Sequence, residues 1–238
     1  MNTDLKIYIP NETTSNSVGA NDLYQKISSL KDIDKVKIIR NGSWGAFWLE
    51  PFIEVEKDGQ RIGASFKDAD ISHCITIDDF MIEFENKSPF DIRDIEFIKE
   101  QKRIVFSRIG LGDPLDVSLY QENGGYHSLR NALSLDQQSI INKIKESGLT
   151  GRGGAAFPTG IKLQTVYDQD SSIKYLACNA DEGDPGAWVN RVVMEGEPHA
   201  LIEGMLIAGL ATGSRTGFIY LRDEYPLAIN RMEQAIQT

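Results

Sequence analysis

The sequence predicts an α/β chain, and three observations carry that expectation. From Ile173 to the end, strand-like and helix-like runs alternate at the spacing of parallel crossover units. Near the other end, Lys57-Asp-Gly59-Gln60 separates two strand-like runs, a hairpin signal. Between these regions, Gly148–Lys162 packs five glycines and two cations into fifteen residues, directly after a marked helix.

Composition bounds the function. The 238 residues are enough for one large or two small domains, and 41% of them are hydrophobic, as in ordinary globular proteins. A net charge of −10 argues against a nucleic-acid backbone as partner, so an anionic ligand must be held by local positive groups. No stretch approaches the length of a membrane span, and Met1–Pro10 has no secretory pattern. A cytoplasmic location is the expectation. With two cysteines, Cys74 and Cys178, the chain offers neither a disulfide framework nor the thiolates of an iron–sulfur cluster. Cys178 closes an apolar run and reads as an inert thiol. His73-Cys74 lacks further ligands nearby.

Taken in order, Leu5–Pro10 alternates as a short strand, and Val18–Leu30 spaces Leu23, Ile27 and Leu30 as a helix. Val36–Arg40 reads as a second strand. Glu50–Glu56 and Arg61–Phe66 form the hairpin, and Lys67–Ser72 is expected to be a short helix. This β-α-β-β-β-α order suits a compact domain over residues 1–85. Asn41–Trp48 carries Trp44, Phe47 and Trp48, rings that cover the small domain's own core or form a docking surface. Residues 86–130 are expected to be a linker, irregular over Glu83–Phe97, strand-like over Val105–Ile109 and loop-rich over Gly110–Gly125. Ser134 with Gln137 has the capping-box arrangement and opens a helix that Gly148 ends.

The glycine-rich loop follows at once. A run of turn N–H groups leading to a helix is a concave anion receptor, and Arg152 grips phosphate bidentately. The loop lacks the Gly-Lys-Ser/Thr of an ATP-binding P-loop, and a tight structural turn with two solvated cations remains the alternative. A helix is expected from Lys162, strands at Ile173–Cys178 and Thr216–Leu221, and helices at Pro198–Ala211 and after Pro226. Ligands of such sheets sit beyond the carboxyl ends of the strands, which puts Asn179–Glu182 and Arg222–Tyr225 on one rim. Carboxylates there suit ribose hydroxyls and ring N–H groups rather than phosphate.

Four segments resemble the FMN- and NADH-binding subunit of respiratory complex I: Ser147–Lys162, Asn179–Gly186, His199–Met205 and Tyr220–Pro226. They are similar also to the beta, or diaphorase, subunit of NAD-dependent formate dehydrogenase, a branch supported by Arg40–Pro51 and Phe106–Pro114. The resemblance implies a thioredoxin-like N-terminal domain, here without cluster cysteines, over 1–85. A partial Rossmann-like FMN/NADH-binding domain follows over 131–238. It implies FMN and NAD as cofactors and hydride transfer between nicotinamide and flavin. Iron–sulfur clusters belong to the family, but their ligands are absent from this sequence. By resemblance, Gly151, Arg152, Gly153, Gly154 and Lys162 cradle the FMN phosphate and ribityl side. Asn179, Asp181 and Glu182 contact the flavin, Tyr220 and Glu224 complete the pocket, Phe157 stacks on adenine, and Asp184 faces the NADH ribose. No side chain is expected to be catalytic and none to bind metal. The implied partners are the cluster-bearing gamma and the molybdenum or tungsten alpha subunits of a formate dehydrogenase-type complex. Departures from the family are Asp223, Asn190 and Thr165. The family continues beyond the point where this sequence stops, so the chain reads as a truncated N-terminal part, and a non-catalytic docking module is the alternative.

Overall fold

The computed structural model describes residues 5–184 and 186–238. They fall into two compact units. One comprises the residues up to Asp116 with Glu195–Glu197, and the other comprises Val117–Met194 with Pro198–Thr238. The chain is mixed α/β, as its alternating patterns predict.

The first unit contains β1 (Lys6–Tyr8), α1 (Thr13–Ser17), α2 (Ala20–Ser28), β2 (Lys37–Ile39), β3 (Phe52–Lys57), β4 (Gln60–Ser65), α3 (Ile77–Asn86) and α4 (Glu96–Lys99). The sheet order is β2-β1-β3-β4. β1 runs parallel to β2 and antiparallel to β3, and β4 returns antiparallel to β3. The hairpin turns on Asp58 and Gly59, whose φ angles are 52° and 77°. Two successive left-handed residues match the strand twist, which is why an Asp-Gly pair sits there. Ile7, Ile9, Ile27, Ile53, Phe66, Phe80 and Phe84 fill the core between sheet and helices.

Three expectations for this region need correction. Lys67–Ser72 forms turns rather than a helix. Asp68 is left-handed there, and the Asp70 carboxylate caps the Ser72 N–H, so local side-chain bonds replace a helical ladder. The helix that closes the β-α-β-β-β-α order is α3. Its capping box pairs Thr76 with Asp79, a signal present in the sequence. Val105–Ile109 is not a strand. No neighbouring strand offers it a ladder, and the Arg108 N–H donates instead to the Glu197 carboxylate at 2.7 Å.

Within residues 86–116, Ile92 and Ile98 are buried against Ala46 and Phe52. The aromatic loop divides. Trp44 packs on that cluster and its indole N–H donates to Glu54, whereas Trp48 is 54% exposed and meets the Phe97 ring edge-on. Glu54 is almost fully buried and also pairs with Arg61, whose guanidinium lies 3.6 Å from the centre of the Tyr8 ring. Burial raises the Glu54 pKa, against the pull of Arg61.

The second unit contains α5 (Val117–Glu122), α6 (His127–Leu133), α7 (Gln137–Glu146), α8 (Thr159–Tyr167), β5 (Tyr175–Ala180), α9 (Val189–Gly196), α10 (Pro198–Thr212), β6 (Thr216–Leu221) and α11 (Pro226–Gln237). Residues Glu195 and Gly196 at the end of α9 group with the first unit. The cap of α7 is Asp136, which accepts from Ser139, and not Ser134. Ser134 closes α6, and its hydroxyl is spent on the Asn131 carbonyl. β5 and β6 pair in parallel, with Asn179 opposite Tyr220 and Ala180 opposite Leu221.

One sheet face turns Ile219 and Leu221 towards Met194, Tyr225, Ala228 and Met232. The opposite face leaves Tyr175, Phe218 and Tyr220 more than half exposed. The helix α10 is apolar around its circumference except for His199, Glu203 and the terminal Thr212. That carboxylate is buried and accepts from the Tyr120 hydroxyl and from the N–H groups of Tyr126 and Leu129. A groove of about 1280 Å³ runs along α10, lined by Leu129, Leu133, Met205, Leu206, Leu210 and Ile236 among others. No helix among the described residues is long and apolar enough to cross a membrane.

Candidate functional site

Because β5 and β6 are parallel and in register, the loops that follow them leave the sheet at the same end. This is the end at which open α/β sheets take their ligands. After β5, Asn179 accepts the Asp181 N–H through its side chain, a turn that bends the chain away from the strand. Asp184 does the same for the Gly186 N–H, which leaves Asp181 and Asp184 exposed to solvent. Glu182 between them is only 6% exposed. One of its carboxylate oxygens accepts from the Arg191 N–H at 3.0 Å. The other, Oε1, is buried and has no hydrogen-bond partner among the described residues. After β6, Arg222 holds the Glu224 carboxylate at 2.8 Å, and this hydrogen bond depresses the Glu224 pKa. The Tyr225 hydroxyl donates across to the Glu182 carbonyl at 3.1 Å. Five predicted residues therefore share one rim: Asn179, Asp181, Glu182, Tyr220 and Glu224. Tyr220 stands in the exposed row beside Asn179, with 67% of its surface open.

The glycine-rich loop is a closed excursion. A bridge between Thr150 and Pro158 ties its base, and the Gly151 N–H donates to the Phe157 carbonyl at 2.8 Å. Residues 152–157 bulge outward and are exposed, with Gly154 at φ 103° and Ala156 at φ 49°. Among the described residues, no backbone bond is donated by the N–H groups of Arg152 to Phe157. Arg152 and Lys162 make no ion pair with any described residue. The loop delivers the chain into α8, whose second residue, Gly160, lies flat on α7. A Cβ there would stand 2.8 Å from the Lys145 nitrogen, so only glycine lets the two helices approach so closely. Among the described residues, no hydrogen bond or ion pair joins Arg152, Phe157 or Lys162 to the strand-end loops. The structure thus assembles the carboxylate rim from its own contacts and leaves the cationic loop free beside α8.

This donor set suits a phosphorylated, hydrogen-bonding ring compound. Free loop N–H groups, Arg152 and Lys162 offer donors and charge to an anion. The orphaned Glu182 Oε1 offers an acceptor to a ring N–H or a hydroxyl, because an ionised carboxylate can only accept. The residues present therefore fit FMN, an ion with a phosphate at one end and an N–H-bearing ring at the other. No group of three or more metal-ligating side chains gathers among the described residues.

Trp188 and Arg191 escaped sequence reasoning, whereas Tyr225 falls within the Arg222–Tyr225 stretch that the strand ends put on the rim. The Arg191 guanidinium lies 4.0 Å from the centre of the Trp188 ring and 4.1 Å from that of Tyr225. Trp188 lies just before α9 with φ 65°, so helical spacing carries no signal for this stack.

The family described as the Nuo51 FMN-binding domain matches residues 144–238. An NADH-quinone oxidoreductase subunit of Rhizobium meliloti (strain 1021) is 46% identical over 134 residues, 56% of this chain and 32% of that protein. NADP-reducing hydrogenase subunit HndC of Solidesulfovibrio fructosivorans is 44% identical over 138 residues, 58% of this chain and 28% of that protein. The matched region thus spans about a third of the length of these curated relatives. Among solved structures, an NAD+-reducing [NiFe]-hydrogenase in the air-oxidized state is similar at a TM-score of 0.46 and 23% identity, over 98% of this chain and 40% of that chain. That likeness is too weak to carry fold or function. The sequence matches are stronger: residues 144–238 are similar to the Nuo51 FMN-binding domain, and the relatives that share this stretch are an NADH-quinone oxidoreductase subunit and an NADP-reducing hydrogenase subunit.

Proposed function

We propose that the chain is the FMN- and NADH-binding part of an NAD-dependent flavin oxidoreductase subunit. The observation that carries the reading is that the same unit holds a buried, half-satisfied carboxylate at its parallel strand ends, to which an exposed cationic glycine loop, whose N–H groups from Arg152 to Phe157 donate no backbone bond among the described residues, adds an anion receptor. In this reading Gly151, Arg152, Gly153, Gly154 and Lys162 hold the flavin phosphate. Asn179, Asp181, Glu182, Tyr220 and Glu224 hold the flavin's polar atoms. Phe157 and Asp184 face the nicotinamide nucleotide, on its adenine and ribose respectively. When bound, FMN supplies hydride acceptance from nicotinamide, and the protein supplies placement and electrostatics.

Residues 1–85 are read as a thioredoxin-like docking domain, a reading supported by the β-α-β-β-β-α order there, with α1 and α2 as its first helical segment, and by the sheet order β2-β1-β3-β4. Its partners are the other subunits of a multisubunit complex in the cytoplasm. The formate dehydrogenase branch is favoured by Arg40–Pro51 and Phe106–Pro114. The test is a titration of the purified chain with FMN, followed by NADH-dependent dye reduction. Quenching of flavin fluorescence and a bound flavin spectrum are expected, and free-flavin fluorescence at every protein concentration overturns the reading.

A second reading, a docking module without flavin, draws on one observation. The apolar helix α10 lies half-exposed along a 1280 Å³ groove, and helices of this kind are normally buried. It predicts co-elution with partner subunits of a formate dehydrogenase-type complex and no yellow colour.

A further inference from the structure

The strand-end corner contains a small device that the proposed cofactor contacts do not account for. Trp188 has φ 65°, a left-handed conformation that a bulky residue adopts only when its surroundings impose it. That conformation lays its ring against the Arg191 guanidinium at 4.0 Å, while Tyr225 covers the other side at 4.1 Å. The sandwich is tied to Glu182 twice. The Arg191 N–H donates to Oε2 of Glu182, and the Tyr225 hydroxyl donates to its carbonyl. Glu182 is more than nine-tenths buried, yet its Oε1 has no hydrogen-bond partner among the described residues, and the Arg191 Nε is likewise buried without one among them. A buried acceptor held so firmly and left unsatisfied is costly in a folded protein unless something fills it.

We infer that Arg191, clamped between Trp188 and Tyr225, is a positioning residue that holds Glu182 with its free oxygen presented to a hydrogen-bond donor of the ligand, a ring N–H or a ribose hydroxyl. The inference rests on the flavin reading above for the identity of that ligand. Arg191 itself is not a ligand contact in this scheme and acts through Glu182. Its planar guanidinium stacks on two rings at once, which the tetrahedral ammonium of lysine does less well, so even Arg191→Lys is not a neutral change.

The experiment combines a double-mutant cycle on FMN affinity with amide exchange. FMN is titrated, by fluorescence quenching, against wild type, Arg191→Met, Arg191→Lys, Glu182→Gln and the double variant Glu182→Gln/Arg191→Met. Arg191→Met is expected to weaken FMN about tenfold, Arg191→Lys by less, and Glu182→Gln by a similar factor. Once Glu182 is changed, adding Arg191→Met costs no further affinity. Independent, multiplying losses overturn the inference, because a merely structural arginine would produce them.

Hydrogen exchange at the residue 191 amide is measured on the same proteins without ligand, together with Trp188→Ala. Protection present in wild type and lost by at least tenfold in Arg191→Met and Trp188→Ala supports the positioning role. Unchanged protection sinks it. Should wild type fail to bind FMN, the flavin reading falls, and the exchange arm still decides whether the stack holds Glu182.

Discussion

Replacing Glu50 with glutamine isolates one buried charge in the first unit. Glu50 is 3% exposed. One carboxylate oxygen accepts from the Ser43 hydroxyl and the other from the Phe52 N–H at 3.0 Å. The Ser15 hydroxyl donates to Glu12, which is itself buried and is a like charge beside Glu50. Burial pushes the Glu50 pKa from its ordinary 4.5 up to about 7, and Glu12 adds to the rise while the Ser43 and Phe52 hydrogen bonds oppose it. The folded state therefore holds this proton more tightly than the unfolded chain does. The stability contributed is fully present below pH 4.5 and is lost as pH rises through 7. A difference of 7 − 4.5 at 1.36 kcal/mol per unit is about 3 kcal/mol, most of it falling between pH 5 and 8. Glutamine fits the site. Its oxygen accepts from Phe52, and its amide donates to the Ser43 hydroxyl, which rotates to receive it. Urea unfolding of wild type and Glu50→Gln, followed by tryptophan fluorescence at pH 5 and pH 8, reads the effect. The variant is expected to gain about 2 to 3 kcal/mol on wild type over that interval. Parallel stability–pH curves for the two proteins would refute the reasoning, because every other titrating group is common to both.

Other substitutions probe each unit. Arg61→Leu leaves Glu54 buried without its cation and is expected to cost about 3 to 5 kcal/mol in denaturant unfolding; Arg61→Leu with Glu54→Leu recovers much of that loss if the penalty is the stranded charge. Gly160→Ala drives a Cβ to within 2.8 Å of the Lys145 backbone, so α7 and α8 must part, at about 1 to 3 kcal/mol by thermal unfolding. An unchanged Tm there means the helices are not seated as described. Arg152→Glu reverses the charge on the glycine loop. If the loop holds the flavin phosphate, FMN affinity falls by about tenfold or more with no change in Tm, and equal affinity removes Arg152 from the site.

Much of the fold was legible in local chemistry. Asp58-Gly59 encoded the hairpin because two left-handed residues are needed there, and Pro226 marked the start of α11 because its missing N–H costs nothing at a first helical position. What failed was pattern without partner. Val105–Ile109 has three apolar residues in five, as a strand can, but a strand exists only beside another, and among the described residues none pairs with it. Lys67–Ser72 has helix formers, yet Asp68 and Asp70 offer the backbone turn bonds it takes instead. The capping box Thr76–Asp79 was readable but went unused, and with it the helix that carries Phe80 and Phe84 into the core.

The candidate site divides along the same line. Asn179 and Tyr220 are neighbours because the two strands are parallel and in register, a consequence of crossover spacing that sequence shows directly. The state of Glu182 was not legible, since burial of one oxygen and vacancy of the other depend on where Arg191 and Tyr225 arrive from α9 and α11. That dependence sets which residues are tolerant. Asp181 and Asp184 stand in solvent; the Asp181 N–H is held by the Asn179 side chain and the Gly186 N–H by the Asp184 carboxylate, which Asn can replace as acceptor, so isosteric changes at either alter charge without removing a turn bond. Glu182 is fixed from both the main-chain and the side-chain side, so a change at Trp188, Arg191 or Tyr225 reaches the ligand rim without touching a ligand. The acidic loop thus combines two exposed carboxylates free to adapt with one buried carboxylate held in place, and only the second has the rigidity that selective hydrogen bonding to a flat ring requires.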